Sequence, residues 1–173
     1  MKIIHSFLNY IINKEIFLKE NLFIIFLIFY EYFQNIIKNE TKIYNNGKYI
    51  GQLINGKMEG KGIYYFNDGE RYEGDFKNDK KEGKGVYYYN RGQWKGDRYE
   101  GDYKNDKREG KGIYYYNNGD RYEGDWRNDN KEGKGIYYYN NGDREMGDYL
   151  NNNPIGKHVT LKVNGEVKTK IYS

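Results

Sequence analysis

Tyr99-Glu100-Gly101-Asp102-Tyr103, a polar stretch from Asn105 to Glu109, then Gly110-Lys111-Gly112-Ile113-Tyr114-Tyr115-Tyr116 and Asn117-Asn118-Gly119 form the unit whose reading decides the fold. Each half alternates with period two, as a strand does when successive side chains point to opposite faces. Tyr99, Gly101 and Tyr103 share one face, and Gly110, Gly112, Tyr114 and Tyr116 share it on the returning strand. The opposite face carries Glu100, Asp102 and Lys111 with Ile113 and Tyr115, so it is not wholly polar. The reading is two strands of about six residues joined by a polar loop. Asn-Asn-Gly is a turn signal that feeds the next hairpin.

The unit recurs. Counted from Tyr-x-Gly, copies start at Tyr49, Tyr72, Tyr99 and Tyr122, with a degenerate fifth at Glu145, at spacings of 23, 27, 23 and 23 residues. An isolated hairpin is marginal in water, so neighbouring copies must stack into a continuous antiparallel sheet. Glycine on the aromatic face has a steric role: where Cβ is missing, a tyrosine ring can lie flat on the backbone. Valine at Gly112 is therefore expected to disrupt packing more than valine at Lys111.

Composition excludes several kinds of chemistry. There are 22 glycines, 22 tyrosines, one proline and no cysteine, which removes disulfides, thiolate metal sites and cysteine nucleophiles. The only serines are Ser6 and Ser173 and the only histidines His5 and His158, so a nucleophile with its base is nearly unavailable. No metal-ligand spacing occurs, no cofactor is expected, and the recurring Gly-Lys-Gly lacks the remainder of a phosphate loop. The acidic loops, such as Asn128-Asp129-Asn130, lack the ligand spacing of a calcium-binding loop. The net charge of +4 is carried by the N-terminal region, the second unit and the tail after Val167. Anionic lipid and nucleic acid draw on clustered Lys and Arg, so the array is a weak polybasic surface and no nucleic acid is expected.

Residues 1–42 differ in kind. They contain no glycine and many Ile, Leu and Phe, a helix-like composition, while 43–173 hold the repeat array. The longest apolar run, Leu22 to Tyr30, is shorter than the roughly 18–20 residues that cross a bilayer. Three fates stay open for the segment Ile16 to Ile37: insertion in a membrane, packing on the repeat sheet, or a poorly ordered tail.

Tyr-x-Gly-x-aromatic followed by Gly-x-Gly-x-aromatic-x-aromatic resembles the MORN (membrane occupation and recognition nexus) repeat. The match runs through Tyr72, Gly74, Phe76, Gly83, Gly85, Tyr87 and Tyr89. It continues through Tyr99, Gly101, Tyr103, Gly110, Gly112, Tyr114 and Tyr116, and through Tyr122, Gly124, Trp126, Gly133, Gly135, Tyr137 and Tyr139. The first unit keeps Tyr49, Gly51, Gly60, Gly62, Tyr64, Phe66 and Gly69, with Leu53 at an aromatic position. The resemblance implies an all-β array: an elongated, twisted single-layer antiparallel sheet of successive hairpins, its aromatic rings lining a groove. It also implies a non-catalytic scaffold or tether, at a membrane or the cytoskeleton, whose groove receives a protein partner, in some members a helix.

Two departures stand out. The fifth unit has Glu145 for the first tyrosine and His158 for the second glycine of its pair, with Pro154 in the loop and Thr160 and Lys162 for aromatics. It reads as a cap shielding an exposed edge, and a last hairpin is expected over Val159 to Tyr172. The second unit carries four extra residues within Asn90 to Gly96, where Arg91, Trp94 and Lys95 are the candidate contact residues. The alternative there is a tolerated loop whose Trp94 folds back on the sheet.

The functional expectation is a cytoplasmic, non-enzymatic scaffold binding a protein through its aromatic groove, with Ile16 to Ile37 either occupying that groove or locating the molecule. The runner-up is anchoring in a membrane by the N-terminal segment. A third reading is a regulatory module like the repeats fused to phosphatidylinositol phosphate kinases.

Overall fold

The computed structural model describes residues 39–173 and, before them, Leu22, Ile24, Leu27 and Ile28, whose backbone is helical. The rest of the N-terminal helix expected from the sequence, and with it the remainder of the candidate membrane segment 16–37, lies outside the described residues. Among the described residues no helix is long and apolar enough to cross a membrane.

Residues 39–173 form one antiparallel sheet of twelve strands whose spatial order is their order in the chain. The strands are β1 (Asn39–Tyr44), β2 (Gly47–Ile54), β3 (Lys57–Phe66), β4 (Arg71–Lys77), β5 (Lys80–Tyr88) and β6 (Arg98–Lys104). They continue with β7 (Lys107–Tyr115), β8 (Arg121–Arg127), β9 (Asn130–Tyr138), β10 (Arg144–Leu150), β11 (Asn153–Leu161) and β12 (Val167–Tyr172). The sheet begins at Asn39, so Asn39 to Lys42, which composition groups with the N-terminal segment, belong to β1.

The hairpins are tighter and longer than their polarity implies. The polar loop expected from Asn105 to Glu109 is a two-residue turn, Asn105-Asp106, and Lys107, Arg108 and Glu109 are strand residues of β7. Both turn residues have positive φ, 49° and 71°, the twist that suits a two-residue hairpin, and Asn and Asp tolerate it best after glycine. Asn78-Asp79, Asn128-Asp129 and Asn151-Asn152 repeat the conformation. The five hairpins β2–β3, β4–β5, β6–β7, β8–β9 and β10–β11 also carry a bulge: Gly101 pairs with Gly112 and Tyr103 with Arg108, and Gly110 between them has φ of +69°.

The core is aromatic and lies on one face. Tyr49, Tyr72, Tyr99 and Tyr122 are wholly buried, each ring resting on a glycine pair such as Gly101–Gly112. A Cβ on Gly101 would meet the Tyr99 hydroxyl at 2.5 Å and Gly112 Cα at 2.6 Å, so the steric expectation for these glycines holds. Each of these tyrosines donates its hydroxyl to a carbonyl three residues on, Tyr99 to Asp102 at 3.2 Å. Phe76, Tyr103, Trp126 and Tyr149 fit between them edge to face, with centroids 5.0–5.4 Å apart. Such pairs add about 0.5–1.5 kcal/mol each beyond area burial.

The fifth unit departs from the expected loss of its aromatic face: the ring changes strand instead of disappearing. His158 on β11 is fully buried over Gly147, where a tyrosine from the first strand lies in the other units. Its Nδ1 is 3.0 Å from Glu145 Oε1 and its Nε2 2.9 Å from the Asp148 carbonyl, while Tyr149 and Tyr172 flank the ring. Pro154, read as a loop residue, is the second residue of β11 and pairs with Tyr149. The last hairpin forms as expected from β11 and β12, and Lys168 and Lys170 charge the exposed edge strand.

Candidate partner-binding site

Beside the buried rings runs a second, less covered row. Tyr64, Phe66, Tyr87, Tyr89, Tyr114, Tyr116, Tyr137 and Tyr139 follow one another at centroid separations of 4.6–5.8 Å, tilted by 36–52°. Period-two alternation puts them on the same face as the buried row. Acidic residues from the turns between hairpins fix their orientation: Tyr87 donates to Glu70, Tyr114 to Asp97 at 2.6 Å, Tyr137 to Asp120 at 2.9 Å. Most of this row is only partly buried, so it presents ring surface and hydroxyls outward.

Burial raises the hydroxyls of both rows, Tyr49 and Tyr116 to about 12 and Tyr72, Tyr99 and Tyr137 further still. They are neutral hydrogen-bonding groups at physiological pH, suited to recognition and unsuited to nucleophilic attack.

Cations stand among the rings. The period-two alternation of β7 continues through Arg108, which faces the aromatic side, and Lys81 and Lys131 occupy the equivalent places in β5 and β9. Arg108 lies 4.3 Å from the Trp126 ring, and Lys131 lies 4.6 Å from Tyr122 and 5.4 Å from Tyr116. Sequence reading left these three in a polar loop. The signal that finds them is that same alternation, carried two residues past Gly110.

The four-residue insertion forms a short 3-10 turn, Gly92–Trp94, closed by Trp94 N–H to Arg91 O and Asp97 N–H to Trp94 O. Its three candidate residues separate. Trp94, 51% exposed, lines a concavity of about 580 Å³ with Tyr89, Arg108, Tyr116 and Lys131. Arg91 instead reaches Asp68 at 3.2 Å, and Lys95 contributes its carbonyl to the Asn117 side chain at 3.0 Å; neither lines that concavity.

The opposite face holds a larger groove of about 1210 Å³, floored by the glycine pairs and edged by Val86, Ile113 and Ile136. Four of its five lysines are already matched, Lys61 with Asp75, Lys84 with Asp102, Lys111 with Asp125 and Lys134 with Asp148, at 2.5–3.4 Å, and Lys157 at its end makes no ion pair among the described residues. Arg71, Arg98 and Arg121 stack on Tyr88, Tyr115 and Tyr138 at 4.1–4.3 Å on that side. The volume is greater there, but most of the polar groups that would orient a ligand are engaged with each other. The aromatic face is the better candidate because Trp94 and its neighbours present unengaged surface.

Hairpins stacked in chain order, each ring seated on a glycine pair of its own unit, define a β-repeat protein. The family described as MORN repeat matches at residues 49–71, 72–94, 99–121 and 122–144. These four matches cover more than half of the chain, which belongs to the MORN-repeat family. The fifth hairpin lies outside the matched units, in keeping with its exchanged ring. No curated protein sequence matches the chain. Among solved structures it is similar to the TCP domain of Drosophila melanogaster SAS-4 in complex with a proline-rich motif, at 13% identity and a TM-score of 0.40. That likeness covers 78% of this chain and 90% of the other, and carries no functional inference.

Proposed function

We propose that this protein is a non-catalytic scaffold or tether that captures a protein partner on the aromatic face of its repeat sheet. The observation that carries the reading is the partly covered ring row together with Trp94, an exposed aromatic that lines one concavity with Tyr89, Tyr116 and the cations Arg108 and Lys131. Interfaces concentrate their binding energy in such residues, Trp, Tyr and Arg above all. A helix laid along the rings is the partner form that membership in the family favours.

The test places a photo-crosslinking amino acid in the full-length chain, at Tyr116 on the aromatic face or at Lys134 on the other. Adducts to one partner from position 116 alone, reduced at least about tenfold by Trp94→Ala, support the reading, since an interface tryptophan is worth about 2 kcal/mol or more. Equal adducts from both faces, or adducts indifferent to Trp94→Ala, would overturn it. Thermal unfolding of Trp94→Ala should match the parent, because Trp94 is half exposed and outside the core.

A further inference from the structure

In the four turns of β4–β5, β6–β7, β8–β9 and β10–β11 the second residue reaches back to the preceding hairpin with the same hydrogen bond. Asp79 accepts from Met58 N–H at 2.9 Å, Asp106 from Lys81 N–H at 2.8 Å and Asp129 from Arg108 N–H at 2.9 Å. In the fourth copy Asn152 accepts from Lys131 N–H at 2.9 Å. The backbone bond is preserved, but an amide stands where the other turns carry a carboxylate.

That exchange leaves one charge uncompensated. Arg108 has Asp129 at 3.2 Å, and the charge of Lys81 is supported by Asp106, Asp129 and Glu70. Lys131 Nζ donates to the Tyr116 hydroxyl at 2.7 Å, and among the described residues it makes no ion pair with a carboxylate. Burial and the neighbouring Arg108 guanidinium both act against its charge and draw the amine down to about 8. A cation held among rings without a counter-charge is costly, and an anion from outside would relieve it.

We propose that the concavity between Trp94 and Lys131 binds a carboxylate side chain presented by the protein partner. Lys131 Nζ takes the carboxylate oxygens, and Trp94 and Tyr116 take the carbon chain behind them. The proposal rests on the reading that the aromatic face receives a protein. A singly charged carboxylate fits better than a phosphate or a lipid headgroup. One uncompensated cation faces the concavity, and Asp97 in its wall, already bonded to Tyr114 and to the Asn117 N–H, would repel a second negative charge.

The chain's two tryptophans, Trp94 and Trp126, both line this concavity, so tryptophan fluorescence reports on it directly. Phenylacetate titrated into the full-length chain should change the emission saturably, on the order of millimolar as expected for a fragment of this size. Its neutral isostere phenylacetamide should bind about tenfold more weakly, the loss of one charge-assisted hydrogen bond.

Two variants should abolish the preference for the acid. Lys131→Met copies the first hairpin, where Met58 is buried at the equivalent place, and Asn152→Asp supplies the missing carboxylate from within. The second is compatible with the turn, because Asp79, Asp106 and Asp129 hold φ of 66–71° and Asn152 holds 70°. Should Lys131→Met fail to fold, Asn152→Asp alone decides.

Equal binding of the acid and the amide, or an undiminished preference in Asn152→Asp, would overturn the proposal. So would sedimentation with phosphatidylserine vesicles that depends on Lys131 while phenylacetate has no effect, since that outcome makes the anion a lipid. Position-116 adducts that persist while phenylacetate and its amide bind alike would remove the carboxylate site and leave the partner face standing. A phenylacetate preference without any face-specific adduct would do the reverse.

Discussion

Substituting Gly112 by alanine puts a methyl carbon 2.5 Å from Tyr99 Cζ and 2.6 Å from Tyr99 Cε2. Carbon atoms pack at about 3.5–4.0 Å, so the ring must lift by about 1 Å. Tyr99 is fully buried, is held edge to face by Tyr103 at 5.3 Å and Trp126 at 5.2 Å, and donates to the Asp102 carbonyl at 3.2 Å. Overpacking costs about 1–3 kcal/mol, and weakening the hydroxyl bond costs about 1 kcal/mol. Replacing glycine returns about 0.4–1 kcal/mol through the unfolded chain. The net loss is about 1–3.5 kcal/mol, centred on about 2 kcal/mol, which is about 4–8 °C in Tm for a chain of this size. Lys111→Ala, one residue away, removes an exposed ion pair with Asp125 worth about 0–1 kcal/mol and should move Tm by less than about 3 °C. Thermal unfolding followed by near-UV circular dichroism measures both, and hydrogen exchange should place the loosening between β6 and β8. Equal effects of the two substitutions, or a Gly112→Ala protein as stable as the parent, would refute the ring-on-glycine account; Gly112→Val should act in the same direction and more strongly.

The exchanged ring of the fifth hairpin predicts a coupled pair: His158→Gly opens a gap over Gly147 and Glu145→Tyr crowds His158, each costing about 2 kcal/mol, and the double substitution recovers most of the loss. A double-mutant cycle by denaturant unfolding checks it, and strict additivity would contradict it. Burial alone would raise the Glu145 carboxyl, but hydrogen bonds from Tyr139 and Tyr172 and the His158 charge outweigh it and hold it below its ordinary value. Its stabilising contribution is therefore complete above about pH 4.3, the unperturbed glutamate value, and is lost as pH falls through the depressed one. Acid titration should release β10–β12 first, and Glu145→Gln should remove that step. At the β6–β7 turn, where Asn105 has φ of 49°, Asn105→Val should cost about 1–2 kcal/mol while Asn105→Gly stays near neutral, as equilibrium unfolding can show.

The strands were legible because the tyrosines and glycines alternate, and the glycine requirement followed from the ring beside each pair. Strand ends were not legible, for a physical reason: no second layer covers this sheet among the described residues, so Lys107 and Glu109 stay polar inside a strand and polarity ceases to mark loops. The turn signal was nevertheless present in Asn105-Asp106, two residues that accept positive φ. Glu145 and His158 were visible as departures, but only the register shows that one ring replaces another across the pair. Of the candidate site, Trp94 was legible as an aromatic in an insertion. Arg108 and Lys131 were not, because their polarity beside the turn residues reads as loop and only the alternation carried past Gly110 and Gly133 puts them on the aromatic side, and the informative difference was the single exchange of Asp for Asn at Asn152.

The order of strands in space is their order in the chain, and each strand bonds only to the ones before and after it. A nascent polypeptide emerging from the ribosome could therefore complete every hairpin against the previous one, with no strand waiting for a distant partner still unsynthesised. The same rule makes the molecule extensible. Duplication or deletion of one 23-residue period would lengthen or shorten the reach between its two ends while leaving each surviving joint unchanged.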